Sequence, residues 1–154
     1  MENATHSRPP AAIERFSALA LRREVSLGVL LSTHPRDFAV VLAAAAQSFL
    51  VGQGFSEREV NECLRAFVDD AGSMLGTDHV ELRRWLVDFK VLHRDGYGRV
   101  YTAGTPAPEI AQFTRELSGV DLAELARDAR ASEAARRAER KARWQTAGRG
   151  EGPA

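Results

Sequence analysis

The chain has 154 residues, of which 44% are hydrophobic and 27% are charged, and its formal net charge at pH 7 is zero. This length fits one domain with extensions, because single domains typically hold roughly 100 to 150 residues. No stretch approaches the roughly 20 apolar residues of a membrane span, and the balanced charge of the whole chain favours neither nucleic acid nor an acidic membrane surface.

The first residues of the chain and its cysteine content indicate the cellular compartment in which the protein is expected. Residues 1–10 lack the apolar run of a secretory signal. The single cysteine, Cys63, has no partner for an internal disulfide, which is typical of a reducing environment. We therefore expect a cytoplasmic protein.

Residues 1–34 are predicted to be an N-terminal arm. A short helix is compatible with residues 11–24. The apolar run VSLGVLL at residues 25–31 fits a buried strand or a buried helical turn equally well. The conformation of this run therefore stays open.

Two helices are predicted next. Pro35 is tolerated in a first helical turn, and the pattern after it predicts a helix over residues 35–53. Ser56 and Glu59 match a capping box, in which each side chain satisfies a free backbone N–H of the other, so a second helix begins there. Its apolar residues share one side, which is typical of a core helix with a solvated face: Val60, Leu64, Phe67 and Val68.

A third amphipathic helix is predicted over residues 78–90, after a loop at residues 71–77, with Asp78 and Glu81 as a second cap pair at its start. Successive side chains on a helix are about 100° apart, which sorts this segment into two faces. The buried face is Leu82, Trp85, Leu86 and Phe89, and the outward face is Val80, Arg83, Arg84, Val87 and Asp88.

Strand-compatible runs at residues 91–93 and 99–102 flank a glycine-rich turn at 95–98, which predicts a β-hairpin. Three helices followed by a hairpin are typical of a winged helix. We therefore expect a mostly helical α+β protein with a winged-helix-like domain over residues 35–104 and helical N-terminal and C-terminal extensions.

The C-terminal extension is predicted to be a charged helical tail over residues 105–146, followed by a disordered end at 147–154. Charge is unevenly distributed along the chain. Residues 36–104 carry eight Lys and Arg against ten Asp and Glu, whereas residues 130–149 carry seven against two. The positive charge is therefore concentrated in the tail.

Two segments carry a family resemblance: SEREVNECLRAF at 56–67 and DHVELRRWLVDFKVLHRDGYGRVY at 78–101. Over roughly residues 50–104 the chain resembles the bacterial family catalogued as domain of unknown function 2087. The resemblance implies a winged-helix unit of the kind joined to helix-turn-helix regulators, and it implies no catalytic residue. The matching positions are Glu57, Glu59, Val60, Asn61, Leu82, Arg83, Arg84, Leu86, Val87, Asp88, Arg94, Asp95, Gly98 and Tyr101.

The leading hypothesis is a transcription-regulator-like protein that binds nucleic acid. Arginine on a recognition helix can pair with guanine or grip phosphate, and a basic hairpin and tail can add backbone contacts. Against it, Glu81, Arg84 and Asp88 have the spacing of ordinary surface ion pairs, and the basic tail helix is also consistent with a solubilising role. The candidate residues are Arg83, Arg84, Lys90, Arg94, Tyr97, Arg99, Arg136, Arg137, Arg140, Lys141 and Arg143.

The alternative hypothesis is a protein-interaction module in which an acidic domain face and the basic tail engage a protein partner or, by self-association, a second copy of the chain. Outward Val80 and Val87 favour it, because exposed apolar side chains suit a protein contact. His34, His79, His93 and Cys63 match no zinc-site spacing. We expect no enzyme activity, metal, cofactor, small-molecule ligand or membrane contact.

Overall fold

A computed structural model describes residues 10–49 and 53–150, with side chains to residue 148. The elements are α1 (Ala11–Leu19), α2 (Leu27–Thr33), α3 (Pro35–Ala46), α4 (Glu57–Asp69), α5 (His79–Asp88), β1 (Leu92–Arg94), β2 (Tyr101–Ala103), α6 (Pro108–Glu116) and α7 (Leu122–Gly150). The described chain is thus mostly helical with one two-stranded antiparallel sheet, an α+β arrangement. None of its helices is long and apolar enough to cross a membrane.

Helix α3 lies at the centre of the core. Every residue from Phe38 to Ala45 is buried, and α1, α2 and α6 pack against this helix. Its alanines are small enough to let neighbouring helices approach closely from several sides, and a helix that is apolar all round is a buried helix. The hydrophobic core therefore continues beyond residues 35–104, into α1, α6 and the first turns of α7.

The end of α3 differs from the prediction. The helix stops at Ala46 rather than at residue 53, and residues 50–52 lie outside the described part. Phe49 nevertheless stays in the core, with its ring 5.2 Å from the ring of Phe55 in an edge-on arrangement. The apolar pattern therefore identified a buried residue in a turn, because burial alone does not require helical backbone.

The open segment at residues 25–31 combines both alternatives. Val25 forms a parallel β-bridge with Leu75, donating its N–H to Met74 O at 2.9 Å. Ser26 then caps α2, its Oγ accepting from Val29 N at 3.3 Å. One extended residue is thus followed by a helix. A single helical or strand periodicity cannot predict such a change of backbone conformation within seven residues.

The start of α4 is confirmed in detail. Glu59 N donates to Ser56 Oγ at 3.1 Å, and Ser56 N donates to Glu59 Oε1 at 2.8 Å, so both halves of the capping box form. The hydrogen bond from Ser56 N is the main cause that lowers the pKa of the Glu59 carboxyl. Val60, Leu64 and Phe67 are buried.

Helix α5 packs its predicted face on the core, though unevenly. Leu82 and Leu86 are fully buried, whereas Trp85 and Phe89 are partly buried. Both rings contact Phe38, at centroid distances of 5.3 and 4.9 Å. Asp78 caps the helix, accepting from Glu81 N at 2.8 Å. This packing fixes which face of α5 is left for solvent.

The hairpin is confirmed with strands slightly later than predicted. Leu92 pairs with Ala103, and Arg94 pairs with Tyr101. Phe55 also forms an antiparallel bridge with Tyr101, which extends the small sheet by one position just before α4. Backbone pairing therefore holds the hairpin against the start of α4.

Helix α7 is longer than predicted. It continues to Gly150 rather than to about residue 144, so residues 147–150, expected in a disordered end, are helical; residues 151–154 lie outside the described part. Only its beginning is buried, at Leu122 and Ala126. From residue 134 to residue 148 every side chain is exposed, as its almost purely alanine apolar content predicts.

Candidate nucleic-acid interface

A pocket of about 210 Å³ lies between the outward face of α5 and the hairpin. Three arginines line it against a single carboxylate, and the two valines of α5 and a buried tyrosine supply its apolar part. Its lining is Val80, Arg83, Arg84, Val87, Asp88, Arg94 and Tyr101. All of these positions except Val80 also carry the family resemblance, although they come from two elements.

Arg83 is not a free outward side chain, so that part of the prediction is wrong. Only 20% of its side chain is exposed. Its Nη1 donates to Asn61 Oδ1 at 2.6 Å and lies 3.6 Å from Glu57 Oε1. Tyr101 Oη donates to the same Glu57 oxygen at 3.4 Å. Arg83 is therefore held by α4, and what it offers the pocket is a fixed positive charge.

Arg84 lies on the outward face of α5, as the helical pattern predicts. It is exposed, and among the described residues it forms no ion pair with Glu81 or Asp88, despite the helical spacing. Glu81 instead accepts a hydrogen bond from Trp85 Nε1 at 3.2 Å. The guanidinium of Arg84 is thus available to a ligand.

The acidic residues of α5 lie mostly on its other flank. A second shallow pocket there, of about 470 Å³, is lined by Asp78, Glu81 and Asp88 together with Val80, Arg84 and Trp85. Val80, Arg84 and Asp88 also border the pocket beside the hairpin. Asp78 and Glu81 therefore lie away from the hairpin, and Arg84 lies between the more acidic and the more basic side of α5.

The hairpin presents its basic groups in two ways. Arg94 is exposed and its guanidinium lies over Gly98, whose φ of +68° suits glycine. Arg99 lies with Cζ 5.8 Å from the ring of Tyr97, which is 86% exposed at the tip. Arg99 N donates to Asp95 Oδ1 at 2.8 Å, and this bond lowers the pKa of the Asp95 carboxyl. The one acidic residue of the hairpin, Asp95, therefore accepts a hydrogen bond within the β-turn.

A neighbouring surface cleft of about 590 Å³ extends the basic face away from Arg84. Lys90 and His93 line it, and it shares Val87 and Arg94 with the smaller pocket. None of the described residues that line this cleft carries a carboxylate. In the sequence, His93 is considered only as a metal ligand, and its spacing does not fit one. In the structure it is an additional polar group of this face.

The tail cations form a separate cluster. Glu133 accepts from Arg136 at 3.1 Å and from Arg140 at 3.2 Å, and Arg137 lies 3.5 Å away. These hydrogen bonds from arginine lower the pKa of the Glu133 carboxyl. Lys141 and Arg143 are exposed. Within the described ranges no hydrogen bond or ion pair links α7 to α5 or to the hairpin, so the predicted residues occupy two surfaces.

Cys63 is half-buried on α4, and desolvation, followed by the charges of Glu62 and Glu59, raises the pKa of its thiol. A thiol that resists ionisation is a poor nucleophile and a poor metal ligand. Among the residues that the structure describes, no three His, Cys, Asp or Glu side chains gather as a metal site would require.

Residues 31–103 match the family described as "Uncharacterized protein conserved in bacteria (DUF2087)". The match runs from the end of α2 to the end of β2. No curated protein and no solved structure shows a significant match to the chain. The family description names no activity, so a function has to be argued from the surface between α5 and the hairpin.

Proposed function

Residues 31–103 belong to the DUF2087 family, and from that premise we propose that the protein is a non-enzymatic, winged-helix-like nucleic-acid-binding protein of the transcription-regulator type. The interface is the outward face of α5 together with the hairpin. The observation that carries the proposal is the convergence of Arg83, Arg84 and Arg94 on one pocket between these two elements.

The order of elements supports the fold part of the proposal. Helices α3, α4 and α5 are followed directly by the hairpin, and the bridge from Phe55 to Tyr101 adds a third strand position before α4. In DNA-binding proteins of the helix-turn-helix type, the recognition helix contacts the major groove. Here α5 occupies that position in the chain, and beside the hairpin its two arginines, Arg83 and Arg84, outnumber its one acid, Asp88.

The chemistry of the interface suits phosphate contact more than base recognition. Arginine and lysine bind phosphate oxygens and release counterions, which makes the affinity depend on salt. Arg84, Lys90 and Arg94 are exposed, and Tyr97 can stack against a sugar or a base. Arg83 adds a fixed charge, because its bonds to α4 remove the conformational freedom that binding would otherwise cost.

The test is a fluorescence anisotropy titration with labelled duplex DNA and duplex RNA of about two helical turns, at about 50 mM and about 200 mM salt. The variant Arg84→Ala/Arg94→Ala is compared with Arg58→Ala/Arg65→Ala, which removes two exposed arginines of α4. We expect the first variant to bind about tenfold more weakly and to reduce the salt slope by about 0.9 for each phosphate that it no longer neutralises.

Two results would contradict the proposal. One is the absence of salt-sensitive binding to either duplex at the lower salt concentration. The other is an equal loss of affinity in the Arg58→Ala/Arg65→Ala variant, which would mean that net charge alone, rather than the surface beside α5, determines binding. Circular dichroism of both variants checks that each chain still folds.

A second candidate function is self-association through the acidic flank of α5. Asp78, Glu81 and Asp88 surround Trp85 there, and Val80 beside them is 40% exposed. A basic helix that also carries an exposed aromatic residue complements such a surface, and the distal part of α7 in a second copy, with Trp144, has both properties.

Sedimentation equilibrium at low and high salt tests this candidate. A dimer that dissociates as salt rises, and that Glu81→Arg disrupts, would support it. The reciprocal variant Lys141→Glu/Arg143→Glu should disrupt the dimer as well, and mixing the two variants should restore association. A monomer at all protein concentrations and salt levels would exclude self-association.

A further inference from the structure

A cleft of about 720 Å³ lies between α7, the residues after α1 and the loop after α4. We call it the tail groove and define it by residues 20–24, residues 73–75, and Arg130, Glu133, Ala134 and Arg137 of α7. Its three walls are far apart in the sequence. Arg22 and Arg23 therefore lie close to the basic tail in the structure, although they are far from it in the sequence.

The walls of the tail groove are tied together. Arg130 Nε donates to Ala20 O at 3.0 Å, and Arg130 Nη2 donates to Ser73 Oγ at 3.1 Å, so one side chain joins α7 to both other walls. Those two walls are joined by backbone bonds as well, from Val25 N to Met74 O and from Gly76 N to Val25 O, both at 2.9 Å. Hydrogen bonds between its walls therefore fix the shape of the groove.

Free positive charge borders the groove. Arg22 and Arg23 are exposed, and in the described part of the chain they form no ion pair and no side-chain hydrogen bond. Arg137 shares Glu133 with Arg136 and Arg140, so one carboxylate faces three guanidinium groups. Among the described residues, Glu24 is the only other acid that lines the groove. Positive charge therefore exceeds negative charge here.

The tail groove and the hairpin border opposite ends of α5. Ser73 and Leu75, which line the groove, lie in the loop that leads into α5. The hairpin follows directly after α5 and packs against it. A helix of this length is about 15 Å long, which is shorter than one turn of duplex DNA, about 34 Å. The length of α5 is therefore compatible with one duplex that meets both basic surfaces.

We propose that the tail groove binds phosphate groups of the same nucleic acid that contacts α5 and the hairpin, through Arg22, Arg23 and Arg137. This inference rests on the proposed function and extends its footprint. Nucleic acid suits the groove better than a protein partner, because protein hot spots combine arginine with tryptophan and tyrosine, and none of the described residues that line the groove is aromatic. Leu21, at 38% exposure, is the only large exposed hydrophobic residue among the groove's lining side chains.

The experiment compares the Kd of wild type, Arg22→Ala/Arg23→Ala, Arg84→Ala/Arg94→Ala and the control Arg58→Ala/Arg65→Ala on duplexes of about one and about three helical turns. We expect Arg22→Ala/Arg23→Ala to weaken binding of the long duplex about tenfold and to lower its salt slope by about 0.9 for each phosphate left without its arginine, with a smaller effect on the short duplex. Unchanged circular dichroism is expected, since both side chains are free.

The outcomes separate this inference from the proposed function. If Arg84→Ala/Arg94→Ala weakens binding but Arg22→Ala/Arg23→Ala does not, the tail groove is no phosphate site and the proposed function stands. If the reverse holds, the groove binds the duplex without the surface beside α5, so the proposed interface fails and the shared footprint fails with it. If wild type binds neither duplex, both fail. If wild type binds labelled polyglutamate, and Arg22→Ala/Arg23→Ala loses that binding but keeps the wild-type Kd for both duplexes, the groove serves an acidic protein partner and the inference is overturned.

Discussion

Arg83 Nη1 donates a hydrogen bond to Asn61 Oδ1 at 2.6 Å, which ties α5 to α4 through two side chains on adjoining helix surfaces. Glu57 Oε1 lies 3.6 Å from the same nitrogen and accepts from Tyr101 Oη. A single polar chain thus runs from the hairpin through α4 to α5. Hydrogen bonds that involve a charged group contribute more to stability than neutral ones do.

Replacing Asn61 with alanine should therefore destabilise the protein by about 1 to 2 kcal/mol, because Arg83 keeps its charge but no longer has its best acceptor. Urea denaturation measures the change in the free energy of unfolding. Glu62→Ala is the matched control on the same helix, since it removes only an exposed ion pair with Arg58 and should change stability by less than about 1 kcal/mol. Equal effects of the two variants would mean that the Arg83 hydrogen bond is as weak as a surface pair.

Gly98→Ala should separate backbone strain from the placement of Arg94. Gly98 and Gly119 both have positive φ, at +68° and +79°, so alanine at either position should cost about 1 kcal/mol. Only at Gly98 would the new Cβ meet Arg94, whose Nη2 would lie 2.6 Å away. We expect Gly98→Ala alone to weaken nucleic-acid binding. Identical affinities of the two variants would show that the position of Arg94 does not matter.

Glu59 should contribute stability that disappears in acid. The hydrogen bond with the backbone of Ser56 lowers the pKa of this carboxyl in the folded chain. A lowered folded pKa contributes stability above the unfolded value, near 4.3, which is lost as pH falls through the folded value. The stability difference between wild type and Glu59→Gln should therefore shrink as pH falls from about 6 to about 3.

Stability curves at several pH values check this, with Glu62→Gln, on the same helix outside the capping box, as the control. A difference between wild type and Glu59→Gln that stays constant over this range would contradict the prediction.

Phe38 should be among the most costly core residues to truncate. Its ring packs edge-on against Trp85 and Phe89, so it holds α5 on α3. Phe38→Ala should cost about 3 to 5 kcal/mol, combining reduced burial with a cavity. In a Trp144→Phe background, tryptophan fluorescence reports on Trp85 alone, and Phe38→Ala should shift it to longer wavelength. An unchanged emission maximum would show that Phe38 does not shield Trp85.

Local signals in the sequence predicted the framework well. The capping box at Ser56 and Glu59, the cap at Asp78 and the hairpin all depend on residues within a few positions of one another, and all three form. The buried positions Leu82 and Leu86 follow from helical periodicity in the same way. Short-range patterns are therefore sufficient where the stabilising contact is itself short-range.

Contacts between segments that are distant in the sequence could not be predicted from local sequence patterns. Periodicity gives the direction of the Arg83 side chain but not that Asn61, 22 positions earlier, supplies its acceptor. Arg130 joins Ala20 and Ser73 across 110 and 57 positions, so the tail groove had no linear signal. A charge count along α5 could not separate its two flanks, because it sums over the whole circumference of the helix.

The exposed distal half of α7 gives this small protein an elongated outline. Residues 134–148 are helical and exposed, and at 1.5 Å per residue they extend about 22 Å. A compact domain of this length has a radius of gyration of only about 15 Å. The molecule should therefore experience more drag in solution than a sphere of equal mass, and its elution from a sizing column should suggest a heavier particle than 16.9 kDa.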